Sequence, residues 1–391
     1  MKTSVSKLML AGLMAITALT GCSSAGSSGE TTSADTQVQT EAQQEAAPAE
    51  ENAQEESAAE AAVPMKTITD QSGTEVQIPQ NVHRVVISSI FPIPSVYCLF
   101  REGADEVVGM HPQAMAAAKE SFLGEVYPEI LQADTSFAQG GEINTESILA
   151  LDPDIVIYSA ANADERAMYE NAGLTPVAFS PSIAGFDCVE TYASWNDLLG
   201  QIFDDSEWAD LISKDARALA EKVKAVTSTI PEEEKPSVLI LFNYDGTSIK
   251  AAGSNSFGQY WIEQGGGINA AAELKGHADV NIEQIYEWDP DIILLSNFVE
   301  MSPEEFMNDT SMDWSSVKAV SEGKVYKFPL GMYRWYPASS DSALSLEWVA
   351  KTLQPEYMKD FDLDADVKEY YMNNYTIELS DEDLARIYGN K

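Results

Sequence analysis

The stretch INTESILALDPDIVIYS, Ile143 to Ser159, returns later in the chain as VNIEQIYEWDPDIILLS, Val280 to Ser296. Asn144, Glu146, Ile148, Asp152, Pro153, Asp154 and Ile155 are matched by Asn281, Glu283, Ile285, Asp289, Pro290, Asp291 and Ile292, 137 positions further on. Each copy reads as a helix feeding a strand. The Asn caps the helix, the Glu two residues later suits its positive end, and Asp-Pro-Asp stops it ahead of a β-branched run. A period this long exceeds solenoid repeats of roughly 20–50 residues, so the chain reads as two similar α/β lobes.

Ahead of the lobes, Lys2 and Lys7 precede an apolar run from Leu8 to Leu19. That is shorter than the ~20 residues of a membrane-spanning helix and suits a secretory signal. It ends Leu19-Thr20-Gly21-Cys22, which resembles a bacterial lipobox with Cys22 as the lipidated residue; under ordinary signal cleavage Cys22 would stay a plain thiol. Residues 23–64 hold nine acids, no Lys or Arg and no aromatic residue, a composition that cannot bury enough apolar surface to offset its ordering entropy. We read a lipoprotein signal over 1–22, a disordered acidic tether over 23–64, a first lobe over 65–187, a connecting helical region over 188–230 and a second lobe over 231–391.

The chain carries 63 acids against 23 Lys and Arg. Setting aside the nine tether acids and the two leader lysines leaves the body at about −33. Such a field opposes binding to nucleic acid, whose phosphates need a basic surface, and keeps the body off anionic lipid. Solubility alone accounts for an acidic surface. Cys98 and Cys188 lie in apolar helix-like contexts that suit either one disulfide or two buried thiols. His83, His111 and His277 are scattered with no ligand spacing, so no metal site and no free-metal carrier is read.

Within the body, KTITDQSGTEVQIP reads as a hairpin about Ser72-Gly73, and HRVVISS, ADEVVGM, the repeat strand and LTPVAFSP alternate with helices, the mark of a parallel sheet. From Asp187 to about Thr229 the periodicity is helical, with Trp195, Leu198, Leu199, Ile202, Trp208, Leu211 and Ile212 among its apolar positions. One rigid helix of ~30 residues is expected there, ~45 Å long, which cannot act as a loop hinge. KPSVLILFNYDG then opens the second lobe.

HRVVISS with SVYCLFREGADEVVGM, the two helix-DPD-strand units, WSSVKAVSEGKVYKFP, and WYPASSDSALSLEWVAKTLQPE leading to YYMNNYTIELSDEDLARI carry a resemblance over nearly the whole body. It resembles the helical-backbone class of bacterial solute-binding proteins, which serve ABC importers of ferric siderophores, haem and cobalamin. The resemblance implies two Rossmann-like lobes with parallel sheets joined by one long helix, a ligand cleft between them and little motion on binding. It implies a membrane-anchored extracytoplasmic monomer that delivers cargo to a permease dimer with its ATPase, without a resident cofactor. It also implies that Glu146 and Glu283 dock onto permease arginines, although an acid in a first helical turn is favoured by the helix dipole alone.

In open α/β sheets ligands sit beyond the carboxyl ends of strands. The candidate contacts are therefore Phe91, His111 and Tyr158 in the first lobe, and Asn243, Tyr244, Tyr333, Arg334, Trp335 and Tyr336 in the second. Met332 to Tyr336 sets one arginine among three aromatic residues, suited to a flat, partly apolar ligand with an acidic group. His111 as a ligand of haem iron competes with a structural role. No nucleophile elbow, dinucleotide or phosphate loop points to an enzyme. Family frequency ranks a ferric siderophore ahead of a corrinoid and haem; a surface receptor or adhesin is the reading outside transport.

Overall fold

The computed structural model describes residues 63–183 and 185–389, so the leader, Cys22 and all but the end of the expected tether lie outside the described residues. An antiparallel hairpin, β1 (Met65–Thr69) and β2 (Glu75–Pro79), comes first. Its turn is set by Gly73 at φ 82°, a conformation glycine adopts without strain, and by the Asp70 carboxylate, which accepts from Ser72 N and Thr74 N.

The first lobe follows in the order β3 (Val85–Ile87), α1 (Ile93–Arg101), β4 (Val107–Met110), α2 (Pro112–Glu120), α3 (Phe122–Val126), β5 (Ala138–Gln139), β6 (Glu142–Ile143), α4 (Thr145–Ala150), β7 (Ile155–Ser159), α5 (Ala163–Asn171) and β8 (Pro176–Phe179). Its main sheet, ordered β4-β3-β7-β8, is parallel throughout.

The connecting region is two helices, α6 (Cys188–Phe203) and α7 (Ser206–Thr227), packed against each other. This corrects the single ~30-residue helix: the long connector is α7, 22 residues and about 33 Å. The break falls at Asp204-Asp205. Asp204 takes a left-handed conformation, φ 55°, and Asp205 caps α7 by accepting from Trp208 N at 3.3 Å. Short acidic side chains tolerate the first conformation and satisfy the second role, so an Asp pair followed by Ser-Glu is a stop and a restart.

The second lobe comprises β9 (Ser237–Tyr244), β10 (Ile249–Ala252), α8 (Phe257–Gln264), β11 (Ile268–Asn269), β12 (His277–Val280), α9 (Ile282–Trp288), β13 (Ile292–Leu295), α10 (Pro303–Met307), α11 (Lys318–Ser321), β14 (Val325–Lys327), α12 (Ser342–Leu353), α13 (Leu363–Tyr375) and α14 (Asp381–Ile387). Its sheet runs β12-β10-β9-β13-β14, with β11 beside β9. It is mixed rather than parallel, because β10 lies antiparallel to β9 and β12. The four residues between β9 and β10 can close a hairpin but cannot carry a crossover.

The repeat is structural as well as sequential. Asn144 and Asn281 cap α4 and α9 by accepting from Ser147 N at 3.0 Å and Gln284 N at 2.9 Å. Asp152 and Asp289 end these helices at φ 49° and 37°. The second Asp of each DPD then reaches the neighbouring strand's start: Asp154 accepts from His83 N and Arg84 N, and Asp291 from Ser237 N at 2.8 Å. One motif thus stops a helix and pins the following strand, β7 or β13, beside the strand that opens its lobe.

Alternate residues of each sheet face two different cores. Val86, Val156, Tyr158 and Ala178 close the outer layer of the first lobe, and Leu239, Leu241, Ile293 and Leu295 that of the second. The inner faces share one core, in which Ile87, Ile157, Trp195, Val223, Ile240, Trp261, Trp335 and Leu346 belong to a single cluster running from one lobe through α6 and α7 to the other. Cys98 and Cys188 are buried within it as free thiols. Among the described residues, no helix is long and apolar enough to cross a membrane.

Candidate functional site

The carboxyl ends of the second-lobe strands carry an aromatic platform. Phe242, near the end of β9, stacks on the imidazole of His277 with ring centroids 3.7 Å apart and planes 14° from parallel. Phe298, just past β13, leans on Phe242 at 4.9 Å and is exposed. Tyr336 lies 5.8 Å from Phe242, and its hydroxyl is 2.8 Å from His277 Nε2. Arg334 spreads its guanidinium 5.2 Å over Phe298. His277 is exposed as a residue, but its ring is covered by Phe242 and Tyr336, and this desolvation with the charge of Lys250 lowers its pKa to about 4, leaving it neutral at physiological pH.

Residues 329–336 are held in shape by their surroundings. Asn297 donates Nδ2 to the carbonyls of Phe328 and Pro329, both at 2.9 Å, and accepts from Tyr336 N at 3.0 Å. Trp261 Nε1 donates to the Tyr336 carbonyl at 2.7 Å, and Ser345 Oγ to that of Trp335 at 2.8 Å.

In the first lobe, Phe91 and His111 are half-buried and face each other, centroids 4.6 Å apart. His111 caps α2, its Nδ1 accepting from Gln113 N at 3.1 Å, and burial lowers its pKa. The loop after β3 is tied to that after β7 through Ser89, which accepts from Ser159 N at 3.0 Å and donates to Glu165 at 2.6 Å. Contacts then cross between lobes: Arg334 Nη2 approaches Glu120 Oε2 at 3.5 Å, and Phe186 meets Phe257 edge-on at 5.8 Å.

Of the expected contacts, Arg334 and Tyr336 are brought together, Asn243 is partly exposed beside Phe242, and Phe91 and His111 pair in the first lobe. Tyr158 and Tyr244 lie elsewhere. Tyr158 points into the outer core and packs on Tyr169, because successive strand residues alternate faces and Ser159, not Tyr158, leads into the loop. Tyr244 is enclosed with its hydroxyl on Asp309 and accepts from Trp314 Nε1 at 3.2 Å. Both are corrected to packing residues. Tyr333, Trp335 and Tyr336 are also buried, Trp335 donating Nε1 to Asp341 at 2.9 Å, so Arg334 is the partly exposed residue of the cluster.

Sequence reasoning missed Phe242, His277, Phe298 and Glu120. The repeat held a signal for one of them: Ser296-Asn297-Phe298 is the second-lobe counterpart of the loop opening at Ser159. A separate groove of about 410 Å³ between α3 and the C-terminal segment, lined by Phe122, Glu125, Val126, Tyr375, Ile377, Leu379 and Asp383, contains none of the expected contacts.

Glu146 and Glu283 are exposed in the first turns of the equivalent helices α4 and α9. Neither takes part in an ion pair among the described residues.

Comparison with known proteins now places this architecture. The family profile described as "Periplasmic binding protein" matches residues 105–330, more than half of the chain. A periplasmic solute binding protein from Veillonella parvula is 31% identical with a TM-score of 0.73, over 83% of this chain and 97% of that one. The molybdate-binding protein MolA of Haemophilus influenzae is 26% identical over 82% of this chain and 94% of its own length. Helicobacter pylori CeuE, solved as a Ni-His complex, is 21% identical with a TM-score of 0.65, over 82% of this chain and 98% of that one, a likeness of fold. The chain belongs to the periplasmic binding protein family.

Proposed function

We propose that this solute-binding protein of an ABC importer carries a metal chelate, a ferric siderophore first, held between its lobes against the platform of Phe242, His277, Phe298, Arg334 and Tyr336. That platform is the observation that carries the reading. Aromatic faces suit the flat or apolar parts of an organic chelator. The buried Tyr336 hydroxyl, 2.8 Å from His277 Nε2, fixes the imidazole against Phe242 and so holds the platform's ring faces in place. Arg334, the cation lying over the platform, is already met by Glu120, which suits a chelate of low net charge better than a tris-catecholate.

A second reading, molybdate, is favoured by the similarity to MolA. A compact dianion needs several converging donors, and the platform offers chiefly ring faces. Corrinoid and haem cargoes follow, since both are broad and partly apolar.

Family members are transport binding proteins that work outside the cytoplasm with a permease and its ATPase. We assign permease docking to Glu146 and Glu283, supported by their matching exposed positions, and attachment to lipid at Cys22, with the body acting as a monomer.

Tryptophan fluorescence of the purified protein tests the cargo, using ferric desferrioxamine, a ferric catecholate, cobalamin, haemin and molybdate. Saturable quenching by a ferric chelate, weakened by Arg334→Ala, is expected. Tight binding of molybdate alone, or of nothing in the panel, overturns the iron reading.

A further inference from the structure

Asp341 precedes α12 and is fully buried. Its Oδ2 collects four donors: Met332 N at 2.7 Å, Trp335 Nε1 at 2.9 Å, the Tyr371 hydroxyl at 3.3 Å and Tyr333 N at 3.5 Å. Its Oδ1 has no hydrogen-bond partner in the protein. No lysine or arginine pairs with it among the described residues. The titratable groups around it are phenols, Tyr192 from α6 and Tyr370, Tyr371 and Tyr375 from α13, each pushed up by burial and therefore neutral. A buried carboxylate without a cation is costly, and here every bond it makes except that from Tyr371 goes to residues 332–335.

We propose that Asp341 is the positioning residue of the cargo loop, one carboxylate oxygen gathering Met332, Tyr333 and Trp335 so that Arg334, between Tyr333 and Trp335, is presented to the ligand while the buried Tyr336 supports the platform from beneath. This rests on the reading of residues 334–336 as part of the binding platform. Charge assistance makes these bonds stronger than neutral ones; Met332 N also donates to the Tyr371 hydroxyl at 2.8 Å, so the Tyr333 amide and the indole NH of Trp335 depend most on the carboxylate. The backbone fits the same design. A Cβ on Gly331 would fall against the Tyr371 hydroxyl, Asp341 Oδ2 and Trp335 Nε1, all closer than a side-chain carbon can approach. Glycine at 331 lets the loop pass directly over the carboxylate. Arg334 is thereby carried on a turn whose own Leu330 and Arg334 bridge, and Gly331 N donates to the Tyr333 carbonyl at 3.0 Å.

The test compares Asp341→Leu, branched at the same carbon but larger and without acceptors, with the isosteric Asp341→Asn, which keeps one neutral acceptor, in the complete chain. Hydrogen exchange by mass spectrometry reads the loop, and titration with ferric desferrioxamine, cobalamin, haemin and molybdate reads the cargo. For Leu we expect at least about ten-fold faster exchange over residues 331–336 with β9 unchanged, and about ten- to hundred-fold weaker binding; Asn should fall between Leu and the native protein. If the Leu protein does not fold, Gly331→Ala displaces the same loop and is expected to give the same pattern.

Native exchange in the loop of Asp341→Leu, or loosening spread evenly through the second lobe, overturns the proposal. So does a locally loosened loop that still binds a probe as tightly as the native protein does. If no probe binds the native protein, the cargo reading fails, while the exchange arm still decides whether Asp341 holds the loop.

Discussion

Arg334 joins the two lobes to one another through Glu120, Nη2 to Oε2 at 3.5 Å, while lying over Phe298 at 5.2 Å. Glu120 is therefore a built-in competitor for any acidic group on the cargo. Exposed pairs of this kind contribute about 0–1 kcal/mol. Glu120→Gln should strengthen binding of an anionic chelate or of molybdate by about two- to five-fold, more at low salt than at high, and leave a cationic chelate unimproved. Isothermal titration at two ionic strengths measures this; equal affinities for both charge types would remove Glu120 from the site.

Glu146 and Glu283 stand at matching places on α4 and α9, outside both cores. Changing both to Arg should abolish uptake in cells, with cargo affinity and melting temperature within error of the native protein. Undiminished transport by the double variant would show that docking lies elsewhere.

The His277 imidazole, laid on Phe242, has its pKa lowered to about 4. A histidine with a depressed pKa stabilises the fold fully above the ordinary value near 6.5, and that stability is lost as pH falls towards 4. His277→Gln should flatten the loss of melting temperature between pH 6.5 and pH 4. If the variant and native curves run parallel there, the ring is not shielded as described.

Glu347 is buried in α12 with both carboxyl oxygens unpartnered, and burial, with Asp366 nearby, raises its pKa to about 8. The folded state thus holds this proton more tightly than the unfolded chain. The resulting stability is present below about pH 4.5 and is lost as pH rises through 8. Glu347→Gln should raise the melting temperature by several degrees at pH 8.5 and change it little at pH 5. Thermal melts across that range check the sign.

Much of this architecture was legible because repetition and alternation are local signals. The repeat located α4 with β7 and α9 with β13, and the rule that ligands lie past strand ends pointed to the segment 332–336, of which the structure leaves Arg334 partly exposed. What failed needed partners distant in sequence. Tyr158 and Tyr244 sit near strand ends, yet a single residue decides which face a side chain occupies, and only the packing of Tyr169 and Trp314 reveals that both turn inward. His277 reads as one of three scattered histidines until β12 aligns with β10 and brings it onto Phe242, thirty-five positions earlier. The interruption at Asp204-Asp205 was written in the chain as a helix stop followed by a cap, but the apolar periodicity on either side concealed it.

The core that passes without interruption from Ile87 through Trp195 to Ile240 has a consequence for traffic at the transporter. Swinging the lobes widely apart would strip that close-packed seam of its contacts, a cost that opposes a large difference in outline between loaded and unloaded forms. A permease that reads only the two protruding acids would then admit vacant carriers as readily as filled ones. Uptake in such a system depends on the ratio of filled to vacant carriers at the gate, and producing more carrier without more cargo slows import.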